Sequence, residues 1–133
     1  YYAHTDYPEL EMARIVEAFN GAVETGKALA LGASNFSAER LQEALDAARS
    51  QGAAEFEALQ NEYNLVTRDA YGIDVQQAVI GGDLVMLPFF GLASGYLTGK
   101  YRTEEDFAKS ARGGRARTLA EGIGPQVLAA MDE

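Results

Sequence analysis

The chain has no cysteine, no tryptophan, one histidine and three prolines in 133 residues. Without cysteine there can be no disulfide, no thiolate nucleophile and no thiolate-bound metal. A single imidazole, His4, rules out a histidine-rich zinc site. Basic residues are scarce too: 11 Lys and Arg stand against 20 Asp and Glu, a net charge of −9. Binding a phosphate backbone needs clustered cations, so nucleic acid is not an expected partner. The apolar runs fall far short of the roughly 20 residues that span a bilayer, and no signal-peptide pattern opens the chain. The expectation is a cytoplasmic protein that meets neither membrane nor nucleic acid.

What the chain does contain is ordinary globular material. A hydrophobic fraction of 47% with 23% charged residues can build a core and does not read as disorder. Its length suits one domain over residues 1–133. Apolar residues alternate between two kinds of segment. In residues 9–25, Met12, Ile15, Val16, Phe19 and Val23 recur at helical spacing, with Pro8 before them and Gly26 after. "ALALGA", residues 28–33, reads as a short buried strand. Ser37 reads as an N-cap for a helix lined by Leu41, Ala44, Leu45 and Ala48 and closed by Gly52. Residues 55–63 and 84–90 read as further strands around a weaker helix at 69–80 that ends at Gly81-Gly82. A Gly-rich loop follows, then an irregular charged segment over 101–118 and a last helix starting near Pro125. With "YYAH" as the first strand, the order is β-α-β-α-β-α-β-loop-α, the pattern of crossovers in a parallel sheet.

The polar residues gather where strands end: His4, Thr5 and Asp6; Ser34 and Asn35; Gln60, Asn61 and Glu62; and Phe89 and Phe90 followed by Gly91 to Ser94. Ligands of parallel α/β folds bind at the carboxyl ends of strands. Ser, Asn and Asp also form turns and caps, but Gln60 and His4 have no turn-forming reason to be there. Amides can meet another amide as donor and acceptor, an aromatic face suits a heterocycle, and glycines let backbone N–H groups approach phosphate. A nicotinamide dinucleotide carries all three features.

Four motifs, "YYAHTDYP", "GASNFSAERL", "LQNEYNLVTRD" and "LPFFGLASGYLTGKYR", together resemble the aldo-keto reductase superfamily, closest to its bacterial branch related to the potassium-channel β subunits. The resemblance implies a (β/α)8 TIM barrel of which this chain holds about strands four to seven, as a fragment cut into the fourth strand. It implies an NADP-dependent oxidoreductase that reduces a small aldehyde or ketone with NADPH. Carried over by residue, His4 matches the active-site histidine that orients the substrate carbonyl; an imidazole is a suitable donor near neutral pH. Ser34, Asn35 and Gln60 match the residues that hold the nicotinamide carboxamide. Phe89 matches the aromatic that stacks on the ring. Phe90, Gly91, Leu92 and Ser94 belong to the loop that passes the pyrophosphate, and Lys100 and Arg112 match contacts to the phosphates.

The resemblance also exposes a gap. The family's catalytic set is Asp, Tyr, Lys and His, and the motif that supplies the first three does not occur in this chain. The fragment by itself is therefore expected to be inactive, and to self-associate through exposed barrel edges. Two other readings stand beside it: a non-catalytic nucleotide-binding or regulatory module of the same fold, and an independent flavodoxin-like α/β domain. No GxGxxG motif supports the last.

Overall fold

A computed structural model describes residues 1–132, without the side chains of residues 123–125. Residues 1–62 and 69–89 form one compact unit; residues 63–68 and the chain from Phe90 onward form a second. The single domain expected over the chain thus comprises two units.

The first unit is a parallel four-stranded sheet carrying three helices. The strands are β1 (Tyr2–Ala3), β2 (Leu31–Ser34), β3 (Phe56–Gln60) and β4 (Val85–Met86). The helices between them are α1 (Met12–Glu24), α2 (Ala38–Gln51) and α3 (Ile73–Gly81), the last preceded by a 3-10 turn at Asp69–Tyr71. Spatial order follows chain order, β1-β2-β3-β4, and every pairing is parallel. A flavodoxin-like sheet would reverse direction after its first strands. This one does not, and an unreversed run of β-α units is the wall of a (β/α)8 barrel. The fold class is therefore α/β, a partial TIM barrel.

Alternation along the strands decides which residues meet the helices. Ala3, Ala33 and Leu59 share one cross-strand row with Met86. Ala33 and Leu59 are fully buried there, beneath Met12, Val16, Leu41, Leu45 and Val79. Tyr2, Gly32, Ala58 and Val85 make the other row, and Val85 is 59% exposed. A Cβ at Gly32 would run into the Tyr2 ring, so any larger residue there requires that ring to move. Between Leu31 and Gly32 the register shifts, so that β3 carries one extra residue, Glu57. The shift brings Ser34 level with Gln60.

Helix ends follow the chain's own signals in part. Ser37 caps α2 by accepting from the Arg40 N–H at 3.2 Å, and Gly52 closes it with φ of 63°. Gly26 likewise takes a left-handed φ of 69°. α1 starts at Met12, three residues inside the expected span, because Leu10 closes a turn onto the Tyr7 carbonyl and Glu11, in extended backbone, is the N-cap. Asn20, within α1, donates to Glu24 at 2.8 Å and accepts the Ala54 N–H at 2.9 Å. β2 begins only at Leu31; Leu29 is 96% exposed.

The second unit departs from expectation. The Gly-rich loop contains a 3-10 turn over Ala93–Thr98, kinked at Ser94 and Gly95, where φ is positive. The segment read as irregular holds α4 (Glu104–Ala108) and the start of α5 (Gly113–Asp132). α5 begins at Gly113, well before the expected start; the side chain of Pro125 lies outside those described. The reason is tertiary: a Cβ at Gly113 would meet the Phe107 carbonyl, so this glycine serves close packing and does not break a helix. Tyr101 and Phe107 stack at 5.1 Å, and Ala93, Tyr96 and Ala116 complete a buried cluster.

Candidate functional site

In the first unit the strand ends bring four of the expected residues together. Asn35 follows β2 in the left-handed region, φ 60°, a conformation Asn tolerates better than most residues. That turn lets its N–H reach the Asn61 Oδ1 at 2.8 Å while its Nδ2 donates to the His4 carbonyl at 2.9 Å and to the Ser34 Oγ at 3.1 Å. Ser34, 2% exposed, donates its hydroxyl to the Gln60 carbonyl at 2.7 Å. His4, Ser34, Asn35 and Gln60 are thus one hydrogen-bonded set across β1, β2 and β3.

Their free groups differ. Ser34 already donates to Gln60 and accepts from Asn35, so its part is to hold strand ends in register. Among the described residues the Gln60 carboxamide, the Asn35 Oδ1 and the His4 imidazole have no hydrogen-bond partner. His4 is exposed and lines a mostly apolar cleft of about 420 Å3 with Thr5, Tyr7, Leu10, Arg14 and Phe19. Asn35 lines a second, more polar cleft of about 340 Å3 with Ser37, Asn61, Asp69 and Asp74. Phe89 is half-buried; its N–H donates to the Asn61 carbonyl at 3.1 Å, which continues the β3–β4 pairing past Met86.

Asn61 is the residue that sequence reasoning placed at a strand end and left without a role. It is 3% exposed and its Nδ2 donates to the carbonyls of Phe36 and Ala70, each at 2.9 Å. One amide thereby joins the loops after β2 and β3. Its only signal in the chain was its place directly after Gln60.

In the second unit Phe90, Ala93, Ser94 and Gly95 all have positive φ, between 49° and 91°. Two of their N–H groups are used within the loop: Ala93 donates to the Phe90 carbonyl at 2.7 Å and Gly95 to the Leu92 carbonyl at 2.8 Å. The Ser94 Oγ is buried without a hydrogen-bond partner among the described residues. Gly91 and Leu92 are exposed. Lys100 packs against Gly95, where a Cβ would stand 3.1 Å from its Nζ, and lies 4.9 Å from the Tyr101 ring centre. Arg112 stands 5.9 Å from the Phe90 ring centre and Arg115, which the sequence did not single out, 4.5 Å. Lys100 and Arg112 have no carboxylate partner among the described residues. Tyr96, fully buried with an unpartnered hydroxyl, has its pKa raised by burial, against the opposing charge of Arg102. Asn64 shapes the neighbouring turn: its Oδ1 accepts from Val66 and Thr67 and its Nδ2 donates to the Phe90 carbonyl at 3.1 Å.

Among the described residues no group of three acidic or imidazole side chains could hold a metal, and no helix is long and apolar enough to cross a membrane. A family model described as "Aldo/keto reductase family" matches residues 1–123. A "putative voltage-gated potassium channel subunit beta" of Schizosaccharomyces pombe is 36% identical over 102 residues. That match covers 74% of this chain and 29% of the relative, so the chain spans less than a third of the protein it resembles.

Proposed function

The chain belongs to the aldo/keto reductase family, and from that premise we propose that it is part of an NADP-dependent oxidoreductase acting on a small aldehyde or ketone. The residues suit the dinucleotide in composition. In the first unit, the Gln60 amide and the Asn35 Oδ1 offer a donor and an acceptor that a planar carboxamide could satisfy, and Phe89 offers a ring face. In the second, the buried Ser94 hydroxyl and the cations of Lys100 and Arg112, which have no carboxylate partner among the described residues, suit phosphate oxygens. When bound, such a cofactor supplies the hydride that reduces a carbonyl carbon.

The chain's own contribution is binding and orientation. His4, held by its backbone and free at its ring, would donate a hydrogen bond to the substrate carbonyl oxygen. The single observation that carries the reading is that, among the described residues, the Gln60 carboxamide and the Asn35 Oδ1 are left without a hydrogen-bond partner at adjacent strand ends in a family-matched motif. The proton donor of the family's catalytic set has no counterpart here, and loss of a positioned acid costs roughly 10²–10⁴-fold in rate. The chain alone is accordingly expected to bind NADPH and to turn over no aldehyde.

Fluorescence titration with NADPH tests this. Saturable binding, weakened by Gln60→Leu and by Lys100→Met, is expected. An unchanged NADPH spectrum, or binding indifferent to both substitutions, would sink the assignment. Steady loss of 340 nm absorbance with an aldehyde, absent in His4→Ala, would overturn the expected inactivity. A nucleotide-binding regulatory module is the second reading, favoured by the name of the fungal relative. It predicts the same NADPH binding, with no turnover even from the full-length protein.

A further inference from the structure

His4 is fixed by its neighbours and not by its ring. On its N-terminal side Ala3 is paired with Ala33 in the sheet. Its own carbonyl accepts from Asn35 at 2.9 Å. On its C-terminal side, two residues on, Asp6 is gripped by Arg40: Nε to both carboxylate oxygens at 3.1 and 2.9 Å, and Nη2 to Oδ1 at 2.9 Å. The same guanidinium reaches the Leu10 carbonyl at 3.3 Å and Glu43 at 2.7 Å, so one planar fork spans the whole turn from Asp6 to Leu10. Arg40 rises from the first turn of α2, the helix that follows directly on Ser34 and Asn35. Both side chains are largely withdrawn from water, 16% exposed for Arg40 and 10% for Asp6.

Other ion pairs of the first unit do not share these features. Arg49 with Glu55 is 48% and 39% exposed and ties a helix end to the strand after it. Burying a charged pair is costly, and an apolar replacement is often no less stable. A fork that holds two carboxylate oxygens at once restricts distance and angle in a way that a lysine cannot. Geometry is the advantage such a pair offers.

We propose that Arg40 is a positioning residue. By clamping Asp6 it sets the place of His4 relative to Ser34 and Asn35, which ride on the same helix-strand unit as Arg40. The functional meaning rests on the reading of His4 as the carbonyl-facing residue, but the positional claim does not.

The single histidine makes the test direct, because the imidazole Cε1–H gives one NMR cross-peak for the whole chain. Arg40→Met and Arg40→Lys are both expected to move that peak by more than its linewidth or to split it, since charge without the fork does not restore the grip. Arg49→Met, which breaks the Arg49–Glu55 pair, should leave it in place. A folded Arg40→Met whose His4 peak coincides with the parent's overturns the proposal, as does an equal displacement by Arg49→Met. Should Arg40→Met fail to fold by far-ultraviolet circular dichroism, Asp6→Asn replaces it; that variant keeps the shape and removes the charge, and an unmoved His4 peak there overturns the proposal equally. Failure of the chain to bind NADPH would count against the cofactor reading and leave the His4 result unaffected.

Discussion

Replacing Asn61 probes the link between the loops that carry the candidate site. In Asn61→Ala three groups lose a partner: the Asn35 N–H and the carbonyls of Phe36 and Ala70. The Phe36 carbonyl is buried, and leaving it unpaired costs about 1–3 kcal/mol. The other two are less severe. Asn35 N–H keeps a longer contact to the Gln60 carbonyl at 3.3 Å, and the exposed Ala70 can turn to water, so each is worth about 0.5–1.5 kcal/mol or less. The sum is about 2–6 kcal/mol, a large part of the roughly 5–15 kcal/mol that stabilises a domain. With a urea m-value of about 2 kcal/mol/M the midpoint should fall by about 1–3 M. Asn61→Asp separates hydrogen bonding from packing. It keeps the acceptor for Asn35 but sets a carboxylate oxygen against two carbonyl oxygens in place of the Nδ2 that donates to both. Near neutral pH it should cost at least as much as alanine, and acidification, which gives the group a proton to donate, should recover part of the loss. Urea unfolding followed by far-ultraviolet circular dichroism measures both variants. Asn61→Asp within about 0.5 kcal/mol of the parent at neutral pH would refute the reasoning, because two lost donors cannot be that cheap.

Two further outcomes are expected. The Asp106 carboxyl lies below the ordinary aspartate range because it accepts from the backbone N–H of Thr103, then that of Arg102 and the Thr103 hydroxyl. Its folded-state pKa is thus below its unfolded one, so its contribution is complete above the unfolded value, near 4, and disappears as pH falls through the folded value. Asp106→Asn should therefore flatten the acid-side decline in thermal midpoint, and an unaltered acid slope would count against this account. β1 and β4 each pair on one side only, and Val85 and Leu87 on and beside β4 are 59% and 44% exposed. Light scattering should accordingly find dimers or larger species, and Val85→Lys with Leu87→Lys should shift them toward monomer; a parent chain that stays monomeric at high concentration would contradict it.

Much of the first unit was legible because its signals are local. Leu41, Ala44, Leu45 and Ala48 recur at helical spacing and are all buried, and Ser37 and Gly52 sit at the two ends of α2 as cap chemistry requires. The β-α alternation was enough to read a parallel sheet. The second unit was less legible because its glycines mislead: Gly113 reads as a breaker, yet it opens a helix where only a hydrogen fits beside Phe107. Arg115 carried no motif and was passed over for Arg112, though both lie over the Phe90 ring.

The amino-acid sequence alone determined the element types of the first unit, the family motifs and the chemical inventory: one imidazole, amides at two strand ends, no thiol and few cations. Periodicity, caps and residue chemistry are properties of short segments, and they survive without tertiary context. Only the folded chain decided how those groups are used. The bulge at Glu57 that levels Ser34 with Gln60, the Asn61 amide on the Phe36 carbonyl and the fork of Arg40 on Asp6 each join residues 25 or more positions apart or reset a register between strands. Such contacts depend on which face each strand turns to its neighbour, and no local pattern encodes that.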